Sequence, residues 1–273
     1  MPRARVGEIE LSYERSGSGP PLLAIMGMSG TLLSWGEPFV GPLRESFEVI
    51  AYDHRGVGES SRMEAPAVQE DPMTIAQLAQ DAAGLLDALE LDSAHVLGIS
   101  MGGMVAQELA LAHPERVRTL ALGCTYCGGE GSSLASPAVA QRLVESLSSG
   151  DRALALRTGW EICISTRFRD DAELYDAYLA RALQRPVARA VIMAQMQAIA
   201  AHDTSARLSG LQAPTLIVHG TADDLIPVQN ARVLAGHLPG ARLELLDGAG
   251  HLFFWEEPMR SAELVRDHAS VHA

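Results

Sequence analysis

The stretch Ala94-His-Val-Leu-Gly-Ile-Ser-Met-Gly-Gly103 decides the fold. Residues 94–98 read as a short buried strand, and from Ser100 to about His113, just before Pro114, the pattern reads as a helix. Between them Gly98-Ile-Ser100-Met-Gly102 places a serine in a tight strand-to-helix turn, with glycine two positions before and two after. Such a turn strains the backbone at the serine and brings neighbouring chains against the flanking positions, which glycine tolerates. Gly103 allows further close packing. Strand, Gly-x-Ser-x-Gly and helix in immediate succession form the context of a nucleophile elbow.

On either side, short apolar runs alternate with helical periodicity. Strands are expected at 9–15, 21–26, 47–52 and 117–123, and a helix at 74–91 carries Ile75, Leu78, Ala82, Leu85, Leu86 and Leu89 on one stripe. From Gly128 to about Gly210 strand signals vanish, and four helical patterns follow near 136–148, 151–166, 171–184 and 187–201. The strand pattern returns at 213–220, then a helix at 227–238, a strand at 242–246 and a last helix from about Trp255. This order predicts an α/β fold with a mostly parallel sheet and helices on both faces. Residues 1–127 and 209–273 form one core, interrupted by an all-helical cap at 128–208. Ser61–Asp71 reads as a connecting loop.

A serine needs a base, and the base needs an acid to hold its tautomer. Asp223 lies just past a strand end in Gly220-Thr-Ala-Asp-Asp-Leu-Ile-Pro227, and His251 just past the next in Gly248-Ala-Gly-His-Leu-Phe253. The order serine, acid, histidine is that of the elbow scaffold. Asp224, and an acid after the sixth strand, compete with Asp223; position three after Gly220 favours Asp223. Among the other histidines, His113, His237, His268 and His272 fall in or beside helices, His219 and His95 on strands, and His54 in a glycine-rich turn. The Met101 N–H, at the start of a helix where the dipole favours negative charge, is one expected oxyanion donor. The loop Ala24-Ile-Met-Gly-Met-Ser-Gly30 supplies the second from Met28, with Gly27 giving tightness.

Together the elbow, the Asp53-His-Arg-Gly-Val-Gly-Glu-Ser60 turn, the acid turn and the Gly-x-Gly-His turn resemble the α/β-hydrolase superfamily over almost all 273 residues. Within it the chain is similar to small bacterial esterases, 3-oxoadipate enol-lactonases and aclacinomycin methylesterases. The resemblance implies an eight-stranded α/β-hydrolase sheet and hydrolysis of a carboxylic ester through an acyl-enzyme. Many relatives carry His-Gly where this chain has Met26-Gly27; donation there comes from backbone. Lactone hydrolysis, cofactor-free perhydrolysis and C–C bond hydrolysis share the same triad. A small-molecule receptor on this fold is the alternative from another class, and a receptor needs no intact triad. Haloalkane dehalogenases and epoxide hydrolases place a carboxylate where this chain has Ser100.

Met26, Met193, Met196, Trp160, Leu225, Phe253 and Phe254 are the expected pocket residues, with core packing the alternative for the methionines and aromatics.

Composition narrows the field. The net charge is −13, from 21 basic and 34 acidic residues, and all 21 are arginine. An acidic chain of this kind is poorly suited to nucleic acid or anionic membranes. The absence of lysine removes Schiff-base chemistry, the Walker A lysine and lysine-dependent hydroxynitrile lyases. With a single asparagine, Asn230, it fits the codon bias of a GC-rich bacterial genome. Gly56-Val-Gly58 lacks the third glycine of a dinucleotide loop. Three cysteines, with Cys124-x-x-Cys127 standing alone, suggest neither a disulfide set nor a zinc site. No metal or organic cofactor is implied. With no apolar run long enough to span a membrane and no secretion signal evident, a cytoplasmic protein acting on a small-molecule ester is expected, its oligomeric state open.

Overall fold

The structure, a computed structural model, describes residues 1–63 and 72–272. Residues 64–71, most of the connection expected at Ser61–Asp71, lie outside the described residues. Among the described residues eight strands build one sheet: β1 (Arg3–Val6), β2 (Ile9–Gly17), β3 (Pro21–Ile25), β4 (Glu48–Tyr52), β5 (Ala94–Ile99), β6 (Val117–Gly123), β7 (Thr215–Gly220) and β8 (Arg242–Leu246). Their order is β1-β2-β4-β3-β5-β6-β7-β8. β2 runs antiparallel to both neighbours, and the strands from β4 to β8 pair in parallel.

The sheet is covered on both faces because side chains alternate along each strand. Leu23, Ile25, Val96, Leu120, Leu122 and Ile217 meet the apolar stripes of α2 (Ile75–Ala88) and α3 (Met101–Ala112). Leu22, Ala24, Leu97, Ile99, Leu216 and Val218 face the other way, with α1 (Glu37–Arg44).

The segment between β6 and β7 is helical, as its periodicity predicts: α4 (Pro137–Ser148), α5 (Arg152–Cys163), α6 (Ala172–Gln184) and α7 (Arg189–Ala200). Ser136, Asp151 and Asp171 cap the first three, accepting from Val139, Leu154 and Leu174 N–H. The chain then returns through β7, α8 (Gln229–His237) and β8.

Three elements depart from the expectation. β1, Arg3-Ala-Arg-Val6, is an edge strand too short to show a period, and it pairs with β2 across a turn in which Gly7 has φ +57°. α1 contains Pro38, Gly41 and Pro42, which disguise a helix. The last helix is broken: α9 (Phe253–Glu256) ends before Pro258, which opens α10 (Pro258–Val271).

β5 lies between β3 and β6, so the turn at its C-terminal end sits at the middle of the sheet edge. There α3 crosses so closely that a Cβ on Gly102 would strike the Ile25 carbonyl, and one on Gly98 the Gly102 carbonyl. Gly102→Ala is therefore expected to lose about 1–3 kcal/mol, typical of overpacking, read as a lower unfolding midpoint. Gly210→Ala, with nothing within 4 Å of the added carbon, should leave the midpoint unchanged. Equal midpoints for the two variants would contradict the crowding.

Candidate active site

Ser100 stands between β5 and α3 with φ +57° and ψ −123°, a conformation rare for a non-glycine residue. Its backbone is held on both sides: its N–H donates to Gly123 O at 2.8 Å, and its carbonyl accepts from Thr125 Oγ1 at 2.7 Å and Gly103 N at 2.9 Å. The side chain faces a cavity of about 480 Å³ that His251 also lines.

His251 Nδ1 lies 2.7 Å from Asp223 Oδ2, in a setting where both side chains are buried. With Nδ1–H donating to the carboxylate, Nε2 is left as the basic nitrogen. The other oxygen, Oδ1, accepts from Leu225 and Ile226 N–H, each at 2.9 Å. Burial opposes the charge on Asp223, but His251 and His219 outweigh it and hold the carboxyl well below the usual carboxylate range. Both histidines act through charge and hydrogen bonding. His219, on β7, brings Nε2 to 3.3 Å from Oδ2 and 2.8 Å from Ile226 O.

The loop after β3 passes directly over the serine: a Cβ on Gly27 would lie 3.0 Å from Ser100 Cβ and 3.5 Å from Oγ. Met26 O takes a hydrogen bond from His54 Nε2 at 2.9 Å, and Gly30 N donates to Gly27 O. Among the described residues the N–H groups of Met28 and Met101 make no hydrogen bond. The Met101 side chain is fully buried in the core.

Of the expected pocket residues, Met26, Met196, Leu225 and Phe254 line the cavity, while Trp160, Met193 and Phe253 do not; Met28, expected as an oxyanion donor, lines it as well. Trp160 turns into a cluster with Tyr175 and Tyr178, its Nε1–H donating to Arg169 O at 3.1 Å. Phe253 packs in the core against Phe254, its ring close to Gly123. The cavity wall also includes Leu143, Leu147, Leu156 and Ile192 from the helical segment, all apolar. Sequence reasoning passed over these because a helix's rotation, not its period, chooses which side chains face inward.

Cys124, His219 and Asp223 offer ligand atoms within 4.8 Å of one another. Burial, reinforced by the neighbouring Asp223, pushes the Cys124 thiol well up, which disfavours the thiolate a metal needs.

A second tie reaches the histidine loop. Glu256 Oε1 accepts from Gly250 N at 3.1 Å and from Ser165 N, beyond the end of α5, at 2.7 Å. Glu256 Oε2 has no partner among the described residues.

The family model described as serine aminopeptidase, S33 (Hydrolase_4) matches residues 43–258. The chain belongs to this family, within the α/β-hydrolase superfamily. It is similar to RutD of Azorhizobium caulinodans, which bears the name of a carbamate hydrolase, at 30% identity over 253 residues, 93% of this chain and 92% of that one. It is 33% identical over 238 residues to a poly(3-hydroxyalkanoate) depolymerase of Ectopseudomonas oleovorans, covering 85% of this chain and 78% of that protein. Among solved structures, the enol-lactonase of Burkholderia xenovorans LB400 superposes with a TM-score of 0.84 and 27% identity, over 98% of this chain and all of the other.

Burial raises the pKa of Glu256, against the lowering effect of its backbone donors. For an acid raised in the folded state, the stability it contributes is present below the unfolded value of about 4.3 and is lost as pH rises through the folded one. Glu256→Gln keeps the accepting oxygen without the charge. It should match wild type near pH 4 and exceed it in unfolding midpoint at pH 7, while Glu256→Ala falls below both. A wild-type protein that gains on Glu256→Gln across that interval would contradict the sign.

Proposed function

We propose that the chain is a carboxylic ester hydrolase of the serine type, acting on small to medium, largely apolar esters. The observation that carries this reading is the shared cavity: Ser100 in its constrained turn and His251, backed by Asp223 at 2.7 Å, open onto one apolar space.

In this reading Ser100 Oγ attacks the ester carbonyl carbon as its proton passes to His251 Nε2. The carbonyl π pair moves onto oxygen, and the N–H groups of Met28 and Met101 stabilise the oxyanion. Collapse reforms the carbonyl and breaks the ester C–O bond, and the departing alkoxide takes the proton from His251. Water then attacks the acyl-enzyme, giving one proton to His251; collapse releases the acid and returns that proton to Ser100. Asp223 stays ionised throughout and stabilises the imidazolium. The helical segment 128–208 acts as the cap that walls the cavity.

The likeness to an enol-lactonase favours lactone hydrolysis as the second reading, because a lactone is an internal ester and demands the same steps. A carbamate, the group in the name of the Azorhizobium relative, is small and polar, and this apolar cavity suits it poorly.

A fluorophosphonate probe is expected to label the protein at Ser100, and Ser100→Ala should lose both labelling and p-nitrophenyl butyrate hydrolysis. Asp223→Asn should reduce kcat by about 10³–10⁴-fold. A wild-type protein that neither labels nor hydrolyses would overturn the enzyme reading.

The apolar wall predicts a chain-length dependence as well. From acetate to hexanoate, kcat/KM should rise by up to about fourfold per methylene, the equivalent of ~0.8 kcal/mol each. A flat series, or faster turnover of a p-nitrophenyl carbamate than of the butyrate, would displace the ester reading. Peracid formation from acetate and peroxide far above hydrolysis would favour perhydrolysis instead.

A further inference from the structure

The loop from Met26 to Leu32 is gripped from outside at two points, and both grips involve the inserted helices. Gln195 on α7 is fully buried, and its Oε1 accepts the Ser29 N–H at 2.9 Å. Ser29 itself has φ +58°, the left-handed region that a serine seldom occupies. At the far end Leu32 N donates to Asp53 Oδ1 at 2.8 Å. Oδ2 of the same buried Asp53 takes Arg185 Nη1, just beyond α6, at 3.0 Å. Met28, whose N–H is the loop's oxyanion donor in the reading above, lies one residue before the Gln195 grip.

Gln195 is a costly residue for a packing role. Its Nε2 is buried and has no partner among the described residues. A buried donor left in that state costs about 1–3 kcal/mol, and an apolar side chain of similar shape would avoid the cost. Its neighbours on the same face, Val191, Ala194 and Ala198, are apolar. The polar head makes one hydrogen bond, and that bond goes to the loop over Ser100.

We propose that Gln195 is a positioning residue that fixes the Met28 N–H by holding Ser29, so that the helical segment completes the oxyanion hole as well as walling the cavity. Without that acceptor the φ +58° conformation of Ser29 loses its anchor, and among the described residues the peptide that aims Met28 N–H is held only by the Gly30 N–H on Gly27 O at 3.2 Å. Arg185, through Asp53, secures the other end of the loop and does not substitute for the bond at Ser29. The inference rests on the ester-hydrolase reading for the role of Met28. If wild type shows neither turnover nor labelling, that reading fails; if wild type is active, the variants below test Gln195 alone.

Gln195→Met removes the acceptor at nearly constant volume, and Gln195→Glu keeps an oxygen in reach of Ser29. With p-nitrophenyl butyrate, Gln195→Met should lower kcat by about 10–100-fold, somewhat less than the 10²–10³-fold typical of deleting an oxyanion donor outright, with KM within twofold. Gln195→Glu should stay within about threefold of wild type. Amide hydrogen exchange in residues 26–31 should accelerate in Gln195→Met and not in Gln195→Glu. A boronic acid that forms a tetrahedral adduct at Ser100 should lose affinity for Gln195→Met in proportion to kcat/KM. Should Gln195→Met not fold, Gln195→Asn, whose shorter amide withdraws the oxygen, takes its place with the same expectations. A folded variant lacking the acceptor that keeps wild-type kcat, or that raises KM while kcat and exchange at 26–31 stay unchanged, overturns the proposal.

Discussion

Everything in this molecule that bears on chemistry is arranged around one strained turn. Ser100 adopts φ +57° because β5 must end, reverse and enter α3 without a linker. That reversal brings α3 against the end of β3, where the Ile25 carbonyl leaves no room for a side chain on Gly102. The strain is contained by hydrogen bonds with β6 and its extension, Ser100 N–H donating to Gly123 O and Thr125 Oγ1 donating to Ser100 O. Two neighbouring strands therefore define the turn, and the loops leaving the strand ends along this edge of the sheet inherit their places from it. The β3 loop passes over Ser100, the β7 loop brings Asp223, and the β8 loop brings His251.

Electrostatics at this edge follows from burial. An ionised carboxylate without water is expensive unless its oxygens are occupied, and those of Asp223 are: two backbone donors on Oδ1, His251 and His219 on Oδ2. The backbone donors belong to residues two and three positions on, so a local turn holds the carboxylate independently of the histidine loop. Asp53 repeats the logic across the sheet, with Leu32 and Glu59 N–H and the Arg185 guanidinium as partners. Breaking such a buried pair from one side leaves an uncompensated charge, which ties Arg185 to the core more firmly than an exposed pair would.

The parts of this arrangement that a short run of residues dictates were legible in the sequence. Gly98-Ile-Ser100-Met-Gly102 between a strand and a helix, and the turns holding Asp223 and His251, each carry their own local grammar, and the parallel sheet follows from the alternation around them. The helical segment was legible as helices and not as a surface. Trp160 and Met196 both read as pocket residues; the first turns toward Tyr175 and Tyr178, and the second toward the cavity. The difference lies in how each helix is rotated against the core, which depends on contacts far away in sequence. Gln195 left one faint trace: a lone polar residue between alanine and methionine on an otherwise apolar stretch, Val191 to Met196. Its partner, Ser29, is 166 positions away.

The helices between β6 and β7 supply more than a cover. Their apolar side chains lower the local dielectric around Ser100, which in the proposed reaction strengthens any dipole aimed at the oxyanion and equally any dipole that is misaligned. A loop that carries such a dipole must then be held more rigidly than an exposed loop of the same length. The segment that lines the cavity with apolar side chains is also the one that reaches down to Ser29 and Asp53, so the cavity wall and the hold on the loop are properties of one body. α7 carries both Gln195, which holds Ser29, and Ile192 and Met196, which line the cavity, so the packing of one helix sets the loop and the wall together.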